Sequence, residues 1–224
     1  NYINSMFNNS NVINATDIVA THTYQSSISS TDWSLLKSAS LQKPIWVTEA
    51  GNLHSPDFNM ADASYHIERI MDGFNYGGLT AYMFHLFYEQ HEYENEVNPG
   101  ENYGSSALVL WNSNLDIILP KRYYAFKHFA NLIKIGYKRI HVNSFGSDLK
   151  TLAFKSPDDS KIVVQLFSEN SLSDFDLEVP FGTTSVEHYV TSNSGNENFS
   201  IISTENLDLQ ENFISMDINA LSMH

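Results

Sequence analysis

The first 135 residues switch repeatedly between a strand-like and a helix-like hydrophobic period. Asp17 to Tyr24 (DIVATHTY) reads as a buried strand. Asp32 to Leu41, with Thr31 as its cap, reads as a short helix stopped by Pro44. Ile45 to Ala50 (IWVTEA) is a β-branched and aromatic second strand that ends at Gly51. A helix is expected over about residues 61–75, where Ala63, Ile67, Ile70, Met71 and Phe74 share one face and Gly77-Gly78 lie beyond its end. Leu79 to Phe87 reads as a third strand, followed by a polar loop of about thirty residues. Pro120 then opens a helix with Phe126, Phe129, Ala130 and Ile133 on one face and Gly136 past its end.

From about residue 136 the period changes. Thr151–Lys155, Lys161–Phe167, Phe175/Leu177/Val179, Val186–Val190 and Ile214/Met216/Ile218 alternate as short strands, separated by turns at Pro157-Asp-Asp, Gly182 and Asn193-Ser-Gly195. Strand–helix alternation followed by spaced strands predicts α/β plus all-β architecture: an α/β barrel or layered region over 1–135 joined to a β-sandwich over 136–224. No internal repeat is present.

Composition narrows the classes. The 224 residues are long enough for a substantial core. Only 17% are charged, and 12 Lys and Arg against 26 Asp and Glu give a formal charge of −14, which repels nucleic-acid phosphates and anionic lipid heads. No apolar run approaches the roughly 18 to 20 residues of a membrane span. With no cysteine there is no disulfide framework, thiolate nucleophile or Cys-ligated zinc, so catalysis falls to carboxylates, His or Tyr. Nine of the twelve basic residues lie between Lys121 and Lys161, and none lies between Arg69 and Lys121. Glu89, Glu92, Glu94, Glu96 and Glu101 fall within that gap and read as a solvated loop or as a site for cations or sugar hydroxyls. Asn8, Asn14 and Asn198 begin glycosylation sequons, relevant only in a glycosylating secretory pathway.

Each of the three strands ends in polar residues: His22 and Tyr24 on the first, Thr48 and Glu49 on the second, His85 with Tyr88 and Glu89 on the third. In parallel α/β folds active sites gather at strand C-termini. Glu49 stands out because a carboxylate that closes a buried apolar strand is costly unless it is paired or used. The bland alternative is a strand-end carboxylate bound to a Lys or a backbone amide. His22 and His85 each read equally well as a core imidazole or a ligand. A metal reading would combine His22, His85, Glu49 and His54, but no HExxH or short His-x-His pair is present, and no cofactor motif occurs. GxSxG, P-loop and GxGxxG patterns are all absent.

The runs DIVATHTY, KPIWVTEAG and LTAYMF, and above all KRYYAFKHFANLIKIGYKRI followed by a β module, resemble the C-terminal part of glycoside hydrolase family 30. VEHYVTSNSGNENF with MDINALSMH resembles the last strands of its xylanase-type members. The resemblance covers nearly the whole chain. It implies the C-terminal portion of a (β/α)8 barrel, about strands 6 to 8, with an attached β-sandwich, and a secreted, retaining β-glycosidase acting on a β-linked polysaccharide or glycoside. It also implies Glu49 as the catalytic nucleophile, with His22, Tyr24, Tyr82, Phe84 and His85 as substrate-binding residues.

Two departures accompany it. The family's acid/base Glu follows an Asn at the end of strand 4, whereas the Asn-Glu pairs here, Asn95-Glu96 and Asn196-Glu197, lie downstream of strand 6. The chain is therefore expected to lack the N-terminal half of the barrel, to depend on that half as a partner, and to have little activity alone. The Trp that commonly ends strand 8 is replaced within Tyr82-Met-Phe-His85, and the following loop lacks the Arg that grips a uronic acid, which speaks against glucuronoxylan specificity. A non-catalytic carbohydrate-binding or structural module is the other reading, since 14 Phe, 12 Tyr and 3 Trp suit sugar stacking as well as a core.

Overall fold

The computed structural model describes residues 2–24, 28–51, 58–91, 107–143, 148–194, 196–207 and 212–224. His54, the glutamates at 92–101 and Gly195 lie outside them. The described chain divides into two compact units, one of residues 1–56 and 68–119, the other of 57–67 and 120–224.

Two short helices, α1 (Tyr2–Met6) and α2 (Ser10–Ala15), open the first unit, and neither has an apolar period long enough to announce it. Then come β1 (Val19–Thr23), α3 (Ser30–Ala39), β2 (Ile45–Ala50), α4 (Met60–Asn75) and β3 (Leu79–Tyr82). The strands form a parallel sheet in the order β1-β2-β3. The cap of α3 is Ser29, not Thr31: the Ser29 hydroxyl accepts from the Asp32 N–H at 3.1 Å while Asp32 accepts from the Ser29 N–H at 3.0 Å. This reciprocal box satisfies two helix-end donors, which Thr31 inside the first turn cannot do.

α4 buries Ala63, Ile67, Ile70 and Met71, the face its period predicts. Gly78 then turns the chain into β3 at φ +62°, a left-handed conformation that side chains other than glycine's rarely adopt. One face of the sheet packs Val19, Ile45, Val47, Ala50 and Leu79 with Trp33 of α3.

The third strand is shorter than its apolar run. Regular pairing stops at Tyr82, and the expected polar loop contains β4 (Tyr88–Gln90), β5 (Val109–Trp111) and β6 (Ile117–Ile118), a second sheet in the order β4-β5-β6.

In the second unit, α5 (Lys121–Leu132) begins after Pro120 and is followed by β7 (Lys138–Ile140), β8 (Leu149–Lys155), β9 (Ile162–Ser168), β10 (Leu172–Glu178), β11 (Ser185–Thr191), β12 (Asn198–Asn206), β13 (Phe213–Ile218) and β14 (Ser222–Met223). Six strands form the antiparallel sheet β12-β11-β14-β9-β8-β7, and β10 pairs with β13. Leu149, Val164 and Leu166 of the larger sheet meet Leu172, Phe175, Met216 and Ile218 of the smaller, the interleaved interior of a sandwich. At the start of α4, Asp62 accepts from Arg122 of α5 at 2.9 Å, with both side chains almost fully buried. Such a pair is held against its desolvation cost by close geometry.

Candidate active site

The site assembles where β1 and β2 end. On β1, Val19 and Thr23 are buried while Ala20 and His22 are exposed, so strand alternation sends His22 to the open face. β2 begins with the same alternation, Ile45 and Val47 facing the core, and continued unbroken it would drive Glu49 into the core as well. A bulge intervenes. The register runs Thr21 to Val47 and then His22 to Glu49, leaving Thr48 as the extra residue, and it is Ala50 that takes the next buried position. The bulge therefore aims Glu49 to the same side as His22.

The Tyr24 hydroxyl donates a hydrogen bond to Glu49 Oε2, and His22 Nδ1 stands 3.6 Å from the same oxygen. Both polar contacts of the Glu49 carboxylate among the described residues fall on Oε2. The His22 and Tyr24 rings meet edge to face at 5.9 Å. The carboxylate remains open, its side chain 37% exposed. The Tyr24 hydrogen bond holds the Glu49 carboxyl below its ordinary pKa; partial desolvation opposes this, and the charges of His22 and His85 add to the lowering. Burial first, then the neighbouring Glu49, push the Tyr24 phenol up to about 12. Tyr24 thus remains a donor, and Glu49 an anion, throughout the neutral range.

Backbone contacts fix this pair. Arg69 of α4, itself buried, donates through Nη1 to the Tyr24 carbonyl, and the Gly51 N–H reaches the Thr23 carbonyl at 3.3 Å. The segment leaving β3 returns to β2, with the Met83 N–H on the Val47 carbonyl at 2.9 Å and the His85 N–H on the Ala50 carbonyl at 2.7 Å. His85 is exposed beside Glu49, and Phe84 is half-buried on that segment.

A register shift between Ile45 and Trp46 leaves Thr80 as an extra residue in β3, and Tyr82 packs against the apolar cluster with its hydroxyl 3.4 Å from Thr23 Oγ1. Arg69 is the residue that sequence reasoning missed. Its signal was its isolation as the only basic residue between Lys43 and Lys121, placed beside the apolar stripe of an amphipathic helix.

Gly51 permits the closest approach in the site. A Cβ there would lie 2.7 Å from the His85 carbonyl oxygen, a backbone atom that cannot rotate away. Gly51→Ala is expected to separate the Phe84-His85 segment from β2 and to destabilise the first unit by about 1–3 kcal/mol. Urea unfolding, with hydrogen exchange at the His85 amide, checks this; an unchanged midpoint and unchanged protection would show that the contact can relax.

A cavity of about 980 Å³ opens at the opposite, N-terminal ends of β2 and β3, lined by Lys37, Lys43, Ile45, Gly78 and Thr80 among others. No carboxylate lines it. Among the described residues no group of three or more His, Cys, Asp or Glu is arranged to hold a metal, and no helix is long and apolar enough to cross a membrane.

No protein-family model matches the sequence, and no curated protein matches it. Solved structures do. A GH30 endoxylanase from Clostridium papyrosolvens C71 superposes with a TM-score of 0.70 at 18% identity over 97% of this chain and 50% of that one. The glycoside hydrolase family 30 subfamily 8 xylanase Xyn30A from Clostridium acetobutylicum gives 0.70 at 19% identity over 98% and 50%. The chain shares its fold with glycoside hydrolase family 30. An endo-β1,6-glucanase, BT3312, is also similar, at TM-score 0.53 and 13% identity over 91% and 39%, so this likeness leaves the sugar open. The chain spans about half the length of the family 30 structures it matches. Its three parallel strands and β-sandwich are the C-terminal portion of that fold, an incomplete barrel.

Proposed function

We propose that this chain carries the nucleophile half of a retaining β-glycosidase site, acting on a β-linked polysaccharide or glycoside in the extracellular space. The observation that carries the reading is Glu49: a carboxylate kept ionised by the Tyr24 hydroxyl, half open to solvent at the C-terminal end of a parallel strand, in a fold shared with glycoside hydrolases. A Glu49 oxygen attacks the anomeric carbon as the glycosidic C–O bond breaks, forming a glycosyl ester. A second carboxyl, about 5 to 5.5 Å away in enzymes of this mechanism, protonates the leaving oxygen and then deprotonates the water that hydrolyses the ester. The proposal assigns that second carboxyl to the half of the family 30 fold that this chain does not cover.

A glycosyl fluoride tests the nucleophile without its partner, because fluoride departs unprotonated. Incubation of the chain with 2-deoxy-2-fluoro-β-D-xylosyl or -glucosyl fluoride should displace fluoride and leave one sugar esterified to the peptide that contains Glu49, read by intact mass and peptide mapping. Labelling of another carboxylate, or of none with either sugar, overturns the assignment.

Tyr24→Phe should slow that labelling about tenfold by removing the hydrogen bond that orients Oε2. It should also move the acid limb of the labelling-rate profile to higher pH. The Glu49 pKa is depressed first of all by this bond, so losing the bond lets the carboxyl protonate earlier as pH falls. An unshifted acid limb would mean that Tyr24 packs beside Glu49 without tuning it.

A further inference from the structure

The small sheet that follows β3 takes no part in the chemistry at Glu49, yet it exposes an ordered aromatic face. Cross-strand partners share a face, and the register pairs Tyr88 with Val109, Gln90 with Trp111, and Trp111 with Ile117. Tyr88, Gln90, Val109, Trp111 and Ile117 therefore lie on one side, and Glu89, Leu110 and Ile118 on the other. Leu110 is fully buried, so the second side is the packed one. Tyr88 and Ile117 are 63% and 64% exposed. The Tyr88 and Trp111 rings pack against each other, centroids 5.5 Å apart and tilted by 38°, and Gln90 lies on the same face.

We infer that this face is a sugar-stacking platform for an uncharged saccharide ring, extending the Glu49 site to a longer chain; it rests on the glycosidase reading above. A pyranose ring has a C–H face that packs on aromatic rings and a rim of hydroxyls that an amide can bond, the same division this face presents. Anionic sugars are disfavoured. No Lys or Arg lies between Arg69 and Lys121, Glu89 is in the same strand, and the chain carries a formal charge of −14. Position supports the connection. The His85 N–H is bonded to the Ala50 carbonyl, one residue past Glu49, and Tyr88 follows His85 by three residues, so the platform begins within about 16 Å of the end of the nucleophile's strand, about 5 Å across the pair plus about 11 Å of chain.

The test titrates the 224-residue chain with xylohexaose, gentiohexaose and an oligogalacturonide of equal length, following tryptophan fluorescence and calorimetry. Trp33 is 1% exposed, so a sugar-dependent signal comes from the accessible indoles, and Trp111→Phe assigns it. The proposal expects at least one neutral hexaose to bind, Trp111→Ala and Tyr88→Ala each to weaken that binding about three- to tenfold, and Tyr88→Phe to retain it. Tyr88 is exposed, so its variants report binding even if Trp111→Ala misfolds. Three results each overturn the proposal: no binding of either neutral hexaose, neutral binding indifferent to both alanine variants, or tighter binding of the oligogalacturonide. Labelling at Glu49 by the small glycosyl fluoride is read separately. Lost labelling with platform-dependent binding intact defeats only the catalytic reading, and the reverse pattern defeats only the platform.

Discussion

Glu49→Ala should abolish turnover of an activated aryl glycoside such as a 2,4-dinitrophenyl β-xyloside or β-glucoside, with a loss on the order of 10⁴-fold or more, the scale seen when a covalent nucleophile is removed. The activated substrate matters because dinitrophenolate leaves without protonation, so the glycosylation step, read as the initial release of dinitrophenolate, can be assayed without the second carboxyl. Glu49→Gln keeps the shape and the hydrogen bond with Tyr24 but cannot form the ester, and should fall equally far while sugar binding persists. Azide distinguishes a lost nucleophile from a damaged site. In Glu49→Ala it can occupy the vacated space and attack the anomeric carbon as dinitrophenolate leaves, giving the α-glycosyl azide from a β-glycoside. Near-normal turnover by Glu49→Ala, or azide rescue only at another carboxylate, would reduce the resemblance to one of fold alone. On an unactivated xylan or glucan the wild-type chain should be slower by the roughly 10² to 10⁴ that general acid catalysis supplies. Full turnover there would place a second carboxyl within this chain.

What the sequence disclosed about this site follows from what local pattern can encode. Glu49 was legible because a carboxylate closing IWVTEA conflicts with burial, and a conflict of that kind is visible without knowing the neighbours. The bulge at Thr48 was not. Which residue of β2 is extra depends on its pairing with β1, and it is this bulge, not the composition of the strand, that keeps Glu49 out of the core. The place of Tyr82 was hidden for the same reason, since the register shift at Thr80 brings its hydroxyl to Thr23. The sheet carrying Tyr88 and Trp111 is built from strands of two and three residues, too short for a period of two to register. In β12, Ile201 and Ile202 are adjacent and both exposed, and the register with β11 shifts twice, so that strand too has no readable alternation.

The histidines of the second unit show that limit most fully, and they lead to the second large effect: the β-sandwich should lose roughly 5 kcal/mol of stability between pH 6.5 and pH 4.5. His188 and His224 come from β11 and from the end of β14, which are adjacent only in sheet order, and His188 Nε2 lies 2.8 Å from His224 Nδ1. Ser222 Oγ gives its proton to the Asn219 carbonyl at 2.6 Å and so accepts from His224 Nε2 at 2.7 Å, which leaves His224 Nδ1 bare to accept from His188. A proton added to His224 would set one N–H against another. His128 of α5 is fully buried, with Nε2 2.9 Å from Thr191 Oγ1, the oxygen that also accepts the Phe199 N–H. Burial, reinforced by the neighbouring His188, His224 and Lys127, holds His128 down to about 3; burial and His188 hold His224 down to about 4. His188 falls in the same direction, with Glu205 opposing. In the unfolded chain these imidazoles protonate near 6.5. Below that pH the unfolded state binds protons that the native state refuses, so stability is complete above 6.5 and declines as pH falls, by about 1.4 kcal/mol per pH unit for each group. His128 and His224 alone account for the 5 kcal/mol over two units. The window lies above that of the carboxylates, for Asp158, lowered to about 2 chiefly by Ser156, loses its contribution only below its ordinary value near 3.8. Hydrogen exchange of the β9 and β11 amides at pH 7.5, 6.5, 5.5 and 4.5 measures the decline locally. His128→Gln should start less stable but show a slope shallower by about 1.4 kcal/mol per unit. A flat profile in the wild-type chain, or ring resonances of His128 and His224 that titrate near 6.5, would mean that the sandwich admits the proton after all.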